Sequence, residues 1–99
     1  MTDVSRARLI VALTAHTYGV PLQALYARGR RQPVALARQT ACWLIRRHTA
    51  LSYPAIGRLL GRDHSTVLHA VTVIDTLMPL RPELAGRVGT VIDRLREAA

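Results

Sequence analysis

Between Gly61 and Ala70 the chain reads GRDHSTVLHA. Asp63, His64 and Ser65 are the three residue types of a hydrolytic triad, and His64 with His69 supplies the imidazoles of a zinc helix. Neither chemistry fits the spacing. If Asp63 caps a helix, successive side chains diverge by about 100°, so the three cannot line up as a base-to-nucleophile relay. His64 and His69 fall on different faces, with no carboxylate between them to complete a metal site. What the spacing supports is recognition. Val67, Ala70, Val71, Ile74, Leu77 and Met78 share an arc of about 120° that must face a core. Ser65, Thr66 and His69 lie on the other side. Short polar side chains on the first two turns of such a helix, just after a short helix and a glycine turn, are the arrangement of a helix-turn-helix entering a major groove. Asp63 then has two compatible roles, as cap and as acceptor for the amino group that cytosine presents there. Leu68 falls outside the apolar arc and finds no role at this level.

The elements that must position this helix are helical throughout, because no stretch sustains period-two alternation. Asp3 or Ser5 can cap a first helix with Leu9, Leu13 and His16 or Thr17 recurring on one face, and Gly19 ends it. Pro21 suits the first turn of a short helix through Tyr26. Residues 27–33, ARGRRQP, read as an irregular basic loop. Helical pattern resumes from Val34 to His48, with Ala37, Ala41, Leu44 and Ile45 inward and Arg38, Arg46 and Arg47 largely off that face. Ser52 is placed to cap a helix that has Pro54 in its first turn and ends near Leu60. Gly61 and Arg62 turn the chain, Asp63 caps the next helix to about Met78, and a last amphipathic helix runs from Glu83 to about Arg96. The helix-turn-helix thus covers about 52–78 of a single 1–99 domain, all-α, with the basic loop ahead of it.

Charge narrows the class of partner. The 99 residues carry a net charge of +8, all of the cations being Arg. Between Asp3 and Asp63 stand ten Arg and no carboxylate, whereas from Asp63 onward four Arg face five acids. A basic face of that extent points to nucleic acid or an anionic membrane. The longest apolar run, Leu9 to Leu13, is far short of the roughly 20 residues of a membrane span. With no secretory leader in view, the chain reads as cytoplasmic and associated with the nucleoid. Its single cysteine, Cys42, reads as a small buried apolar residue, and Trp43 as a core anchor, since four aromatics cannot line a single-strand channel. Metal-dependent phosphodiester chemistry needs clustered carboxylates, and the six here are sparse, so an enzyme is not expected. No catalytic residue, metal or cofactor is assigned.

GRDHSTVLHA, preceded by SYPAIG and by RGRRQPVALARQ, resembles the C-terminal DNA-binding domain of the bacterial replication initiator DnaA. The resemblance runs from about Leu9 to Leu95. It implies a Trp-repressor-like all-α fold and duplex recognition at DnaA boxes, usually TTATNCACA. It implies base readout in the major groove by Asp63, His64, Ser65 and Thr66, and insertion of Arg30 into the neighbouring minor groove. A guanidinium suits a narrow A·T-rich groove on physical grounds as well. Further contacts to the DNA backbone or base edges are expected from Arg28, Arg31, Arg38, Gln39, Arg46, Arg47, Ser52, Pro54, Arg62 and His69. Arg46 and Arg47 have no obvious acidic partners in sequence, which favours phosphate contact over surface pairing.

Three departures from the family pattern bear on function. One glycine precedes the Arg-Asp-His string where the family commonly has two, so a tighter turn is expected. Gln32, Pro33 and Leu36 replace arginine or small polar residues in and just after the basic loop, so fewer phosphate contacts are expected. No GxxxxGK(S/T) phosphate loop exists, since Gly57 to Ser65 lacks both its spacing and its lysine, so neither nucleotide binding nor ATP hydrolysis is expected. The reading is a complete, stand-alone small protein that binds double-stranded DNA as a monomer and modulates replication initiation or transcription by occupying box-like sites. The alternative is an adaptor that keeps the fold and contacts the initiator or another replication protein.

Overall fold

The computed structural model describes residues 1–29 and 31–98. In order, these form α1 (Asp3–Tyr18), α2 (Leu22–Tyr26), α3 (Val34–His48), α4 (Tyr53–Leu60), α5 (His64–Leu77) and α6 (Pro82–Ala98). No helix among them is long and apolar enough to cross a membrane.

α3 is the central element, packed on one side by α1 and on the other by α5. Its inward residues Ala37, Ala41, Leu44 and Ile45 are fully buried, as the periodicity requires. Full burial of a Leu or Ile side chain stabilises by about 1.5–3 kcal/mol. Cys42 is buried beside them, and burial pushes its thiol up to about 12, so it is an apolar filler here. α4 crosses α5, and α6 lies on α1 through Leu84, Val88, Val91 and Leu95. Tyr18 joins the layers. Its hydroxyl meets Thr40 Oγ1 at 2.7 Å, and Arg87 of α6 stacks over its ring at 4.8 Å.

α1 corrects two expectations. Thr2 is the cap, its hydroxyl oxygen accepting from the Ser5 amide at 3.0 Å, while Asp3 is the first helical residue and accepts from the Ala50 amide instead. The buried face is Ala7, Ile10, Val11, Thr14, Ala15 and Tyr18, with Leu9 and Leu13 only flanking it. α1 is packed against α2, α3 and α6, and the face turned to them mixes Ala7, Thr14 and Ala15 with Ile10, Val11 and Tyr18. Gly19 does end the helix, at φ 67°. α6 begins at Pro82, one residue earlier than expected, with proline in the position where its missing N–H costs least.

Candidate nucleic-acid interface

The helix-turn-helix is built on two glycines. Gly61 ends α4 in the left-handed region at φ 67°, and only Gly61, Arg62 and Asp63 separate α4 from α5. The Arg62 amide donates to the Gly57 carbonyl at 2.8 Å, so the turn folds back over α4. A side chain on Gly57 would overlap the Arg62 carbonyl oxygen. The angle between the two helices therefore depends on Gly57 having none.

Asp63 starts α5 as expected. Its Oδ1 accepts from the Thr66 amide at 3.0 Å, the Ser65 hydroxyl at 2.6 Å and the Thr66 hydroxyl at 3.2 Å. The Ser65 hydroxyl first, then the Thr66 amide, hold its carboxyl below the ordinary aspartate range. His64 takes no part in these bonds, so the triad spelling corresponds to a capping cluster.

Asp63, His64, Ser65, Thr66 and His69 are all exposed, and Val67, Ala70 and Ile74 are buried behind them. In front of Ser65, Thr66 and His69 opens a cleft of about 1000 Å³. Arg28 and Gly29 of the basic loop form its opposite wall, Gln39 and Cys42 line it from α3, and Arg62 lines it from the turn. Arg28 and Arg31 are exposed, and Arg30 lies outside the described residues. Leu68, which the sequence left without a role, is 47% exposed one turn beyond His64. Its place outside the apolar arc is the sequence signal for that exposure.

A second group gathers at the start of α4. Ser52 Oγ accepts from the Ala55 amide at 3.2 Å, and Pro54 sits exposed in the first turn. Arg46 donates to the Leu51 carbonyl at 3.2 Å and leans over the Tyr53 ring at 5.0 Å, which brings its charge beside this cap.

Two arginines are placed differently from expectation. Arg38, expected off the core face, is only 8% exposed. It donates to the carbonyls of Leu25, Gly29, Ala24 and Ala27 at 2.8–3.0 Å. Burial, then the nearby Arg62 charge, lowers its pKa. Periodicity treats any arginine as outward and cannot register a row of unpaired carbonyls waiting at the end of α2. Arg47, expected to lack an acidic partner, lies 3.6 Å from Asp75 across the α3–α5 contact and stacks on Trp43 at 4.4 Å.

A helix-turn-helix whose second helix presents an exposed polar N-terminus beside a basic cleft defines a DNA-binding domain. Comparison with known sequences gives the family. Residues 7–74 match the bacterial dnaA protein helix-turn-helix model. The chain is 43% identical over 96 residues to the chromosomal replication initiator protein DnaA of Deinococcus radiodurans, covering 97% of this chain and 19% of that protein. The DnaA of Leifsonia xyli is 39% identical over 89 residues (89% of this chain, 19% of that protein), and that of a Picosynechococcus strain 35% over 88 residues (88% and 20%). This chain belongs to the bacterial DnaA helix-turn-helix family, and it spans about one fifth of the length of these relatives. DNA binding, with no catalytic role, is the function this family membership carries.

Proposed function

We propose that the chain binds double-stranded DNA at DnaA-box-like sites in the cytoplasm, at the nucleoid, and modulates replication initiation or transcription by occupying them. The first two turns of α5 read the major groove while the basic loop enters the adjacent minor groove. The observation that carries this reading is the exposed set Asp63, His64, Ser65 and Thr66 at the start of a helix whose opposite face is buried, across a cleft from Arg28.

Each side chain has a chemistry to contribute. Asp63 keeps its charge, and its carboxylate accepts from a cytosine amino group. His64, Ser65 and Thr66 offer donors and acceptors to neighbouring base edges. Exposed Leu68 meets a thymine methyl. Arg30 enters the narrow A·T-rich minor groove, where the negative potential is strongest. Arg46, Ser52 and Pro54 at the start of α4 lie against phosphates on the far side of the reading helix.

A competition titration of a box duplex against a scrambled duplex, at two salt concentrations, tests this. Sequence readout predicts a preference on the order of a thousandfold or more that survives added salt. Equal and steeply salt-sensitive binding of both duplexes would reject readout. Absence of binding to either would favour the adaptor.

A further inference from the structure

Two arginines that line the cleft donate to backbone carbonyls of the protein. α2 has only five residues, and the carbonyls at its C-terminal end have no helical turn ahead to satisfy them. Arg38 reaches across from α3 and donates to Ala24, Leu25, Ala27 and Gly29, leaving a single guanidinium N–H for anything else. Arg62 reaches the same place from the helix-turn-helix. Its Nη2 donates to the Ala27 carbonyl and its Nη1 to the Leu60 carbonyl at 3.2 Å. The shared acceptor is the Ala27 backbone carbonyl oxygen, which accepts from both arginines. Ala27 is also the first residue of the basic loop.

We propose that Arg38 and Arg62 are positioning residues that tie the basic loop to the reading helix, so that the loop and the start of α5 meet a duplex as one body with a fixed offset between minor-groove and major-groove contacts. This rests on the two-groove reading above. An untethered loop would lose its backbone freedom on binding, and the tie removes that cost beforehand. A fixed offset also makes the spacing between the two halves of the site part of what is recognised. In this role Arg62 acts through the Ala27 carbonyl that it holds, not through a phosphate.

Amide hydrogen exchange on the free full chain tests the tie without DNA. Arg62→Ala should speed exchange in the loop, residues 27–29 and 31–32, relative to α5, and Arg38→Lys should do the same if it folds. Unchanged loop exchange in Arg62→Ala would overturn the proposal.

Box affinity is then measured for Arg62→Ala in two backgrounds, the parent chain and one with Arg28, Arg30 and Arg31 all changed to Ala. Positioning predicts a loss of about fivefold or more in the parent and almost none once the loop has no charges to place. Equal losses in both backgrounds, each with a salt slope lower by about one, would mean that Arg62 neutralises a phosphate directly, and would overturn the proposal. Arg62→Lys separates the same two cases, since a lysine keeps the charge but not the fork, and full rescue by lysine counts against positioning. A parent chain without box preference would refute the two-groove reading, while the exchange result would still decide whether the tie exists.

Discussion

Trp43 Nε1 donates to Asp75 Oδ1 at 2.8 Å, joining the middle of α3 to the second half of α5. Arg47 completes the group, 3.6 Å from the same oxygen and stacked on the indole. Trp43 is therefore the anchor its rarity suggests, with its one polar atom satisfied by the helix it supports. Asp75→Ala should lower stability by about 1 kcal/mol, because a hydrogen bond from a nearly buried indole is lost on an otherwise half-exposed carboxylate. Urea unfolding followed by far-ultraviolet circular dichroism, a probe that all four variants of the cycle retain, measures it. In a double-mutant cycle with Trp43→Phe the two losses should be less than additive, since each variant removes the same bond.

Gly57→Ala isolates the turn. Its added methyl would overlap the Arg62 carbonyl oxygen, a backbone atom that cannot move without displacing Asp63 and the start of α5. The expected cost is about 1–3 kcal/mol, typical of overpacking. Box affinity should fall more than stability alone explains at temperatures where the variant is fully folded, because the shift is passed to the recognition side chains. Gly57→Ala with parent-like affinity and stability would show that the α4–α5 angle has slack.

How much of this was legible in the sequence depended on whether the signal was local. The limits of α3, the Ser52 and Asp63 caps, the Gly19 and Gly61 stops and the buried face of α5 follow from residues within one or two turns of each other. The basic cleft was foreshadowed by charge distribution alone. Contacts across the fold were not legible. Nothing local distinguishes Arg38 from Arg46, yet one is buried under α2 carbonyls and the other leans over Tyr53. Asp75 stands 32 residues from Trp43, so the partner of Arg47 becomes visible only when α3 and α5 pack. The inward face of α1 is another such case, since which side of that helix is buried depends on α2, α3 and α6 packing against it.

Asp63 gives a pH dependence with a definite sign. Its carboxyl titrates below the ordinary aspartate value in the folded chain because Ser65 and Thr66 donate to the ionised form. A group whose pKa is depressed on folding contributes stability that is present above its unfolded value, about 3.9, and is lost as pH falls through the lower folded value. Asp63→Asn should retain part of the cap at neutral pH and remove this group's share of the acid-side decline. Thermal melts of parent and variant from neutral pH to below 3.9 should therefore converge toward the acid end. Parallel curves would mean that the carboxylate contributes nothing beyond its shape.

Leu68 offers the sharpest separation of readout from folding. At 47% exposure it contributes little to the core, so Leu68→Ala should leave the melting temperature nearly unchanged. Contact with a thymine methyl is worth about 0.8 kcal/mol by the burial of one such group, roughly a fourfold change in affinity. Replacing thymine by uracil at each position of the box deletes that methyl from the DNA side. At one position the parent should lose about this amount, and Leu68→Ala should show no further loss there while responding to uracil elsewhere as the parent does. That pattern locates the base facing Leu68 and fixes the register of α5 in the groove. A uniform response to uracil in both proteins would place Leu68 away from the bases, and the helix would then have to enter the groove on its Thr66–His69 edge.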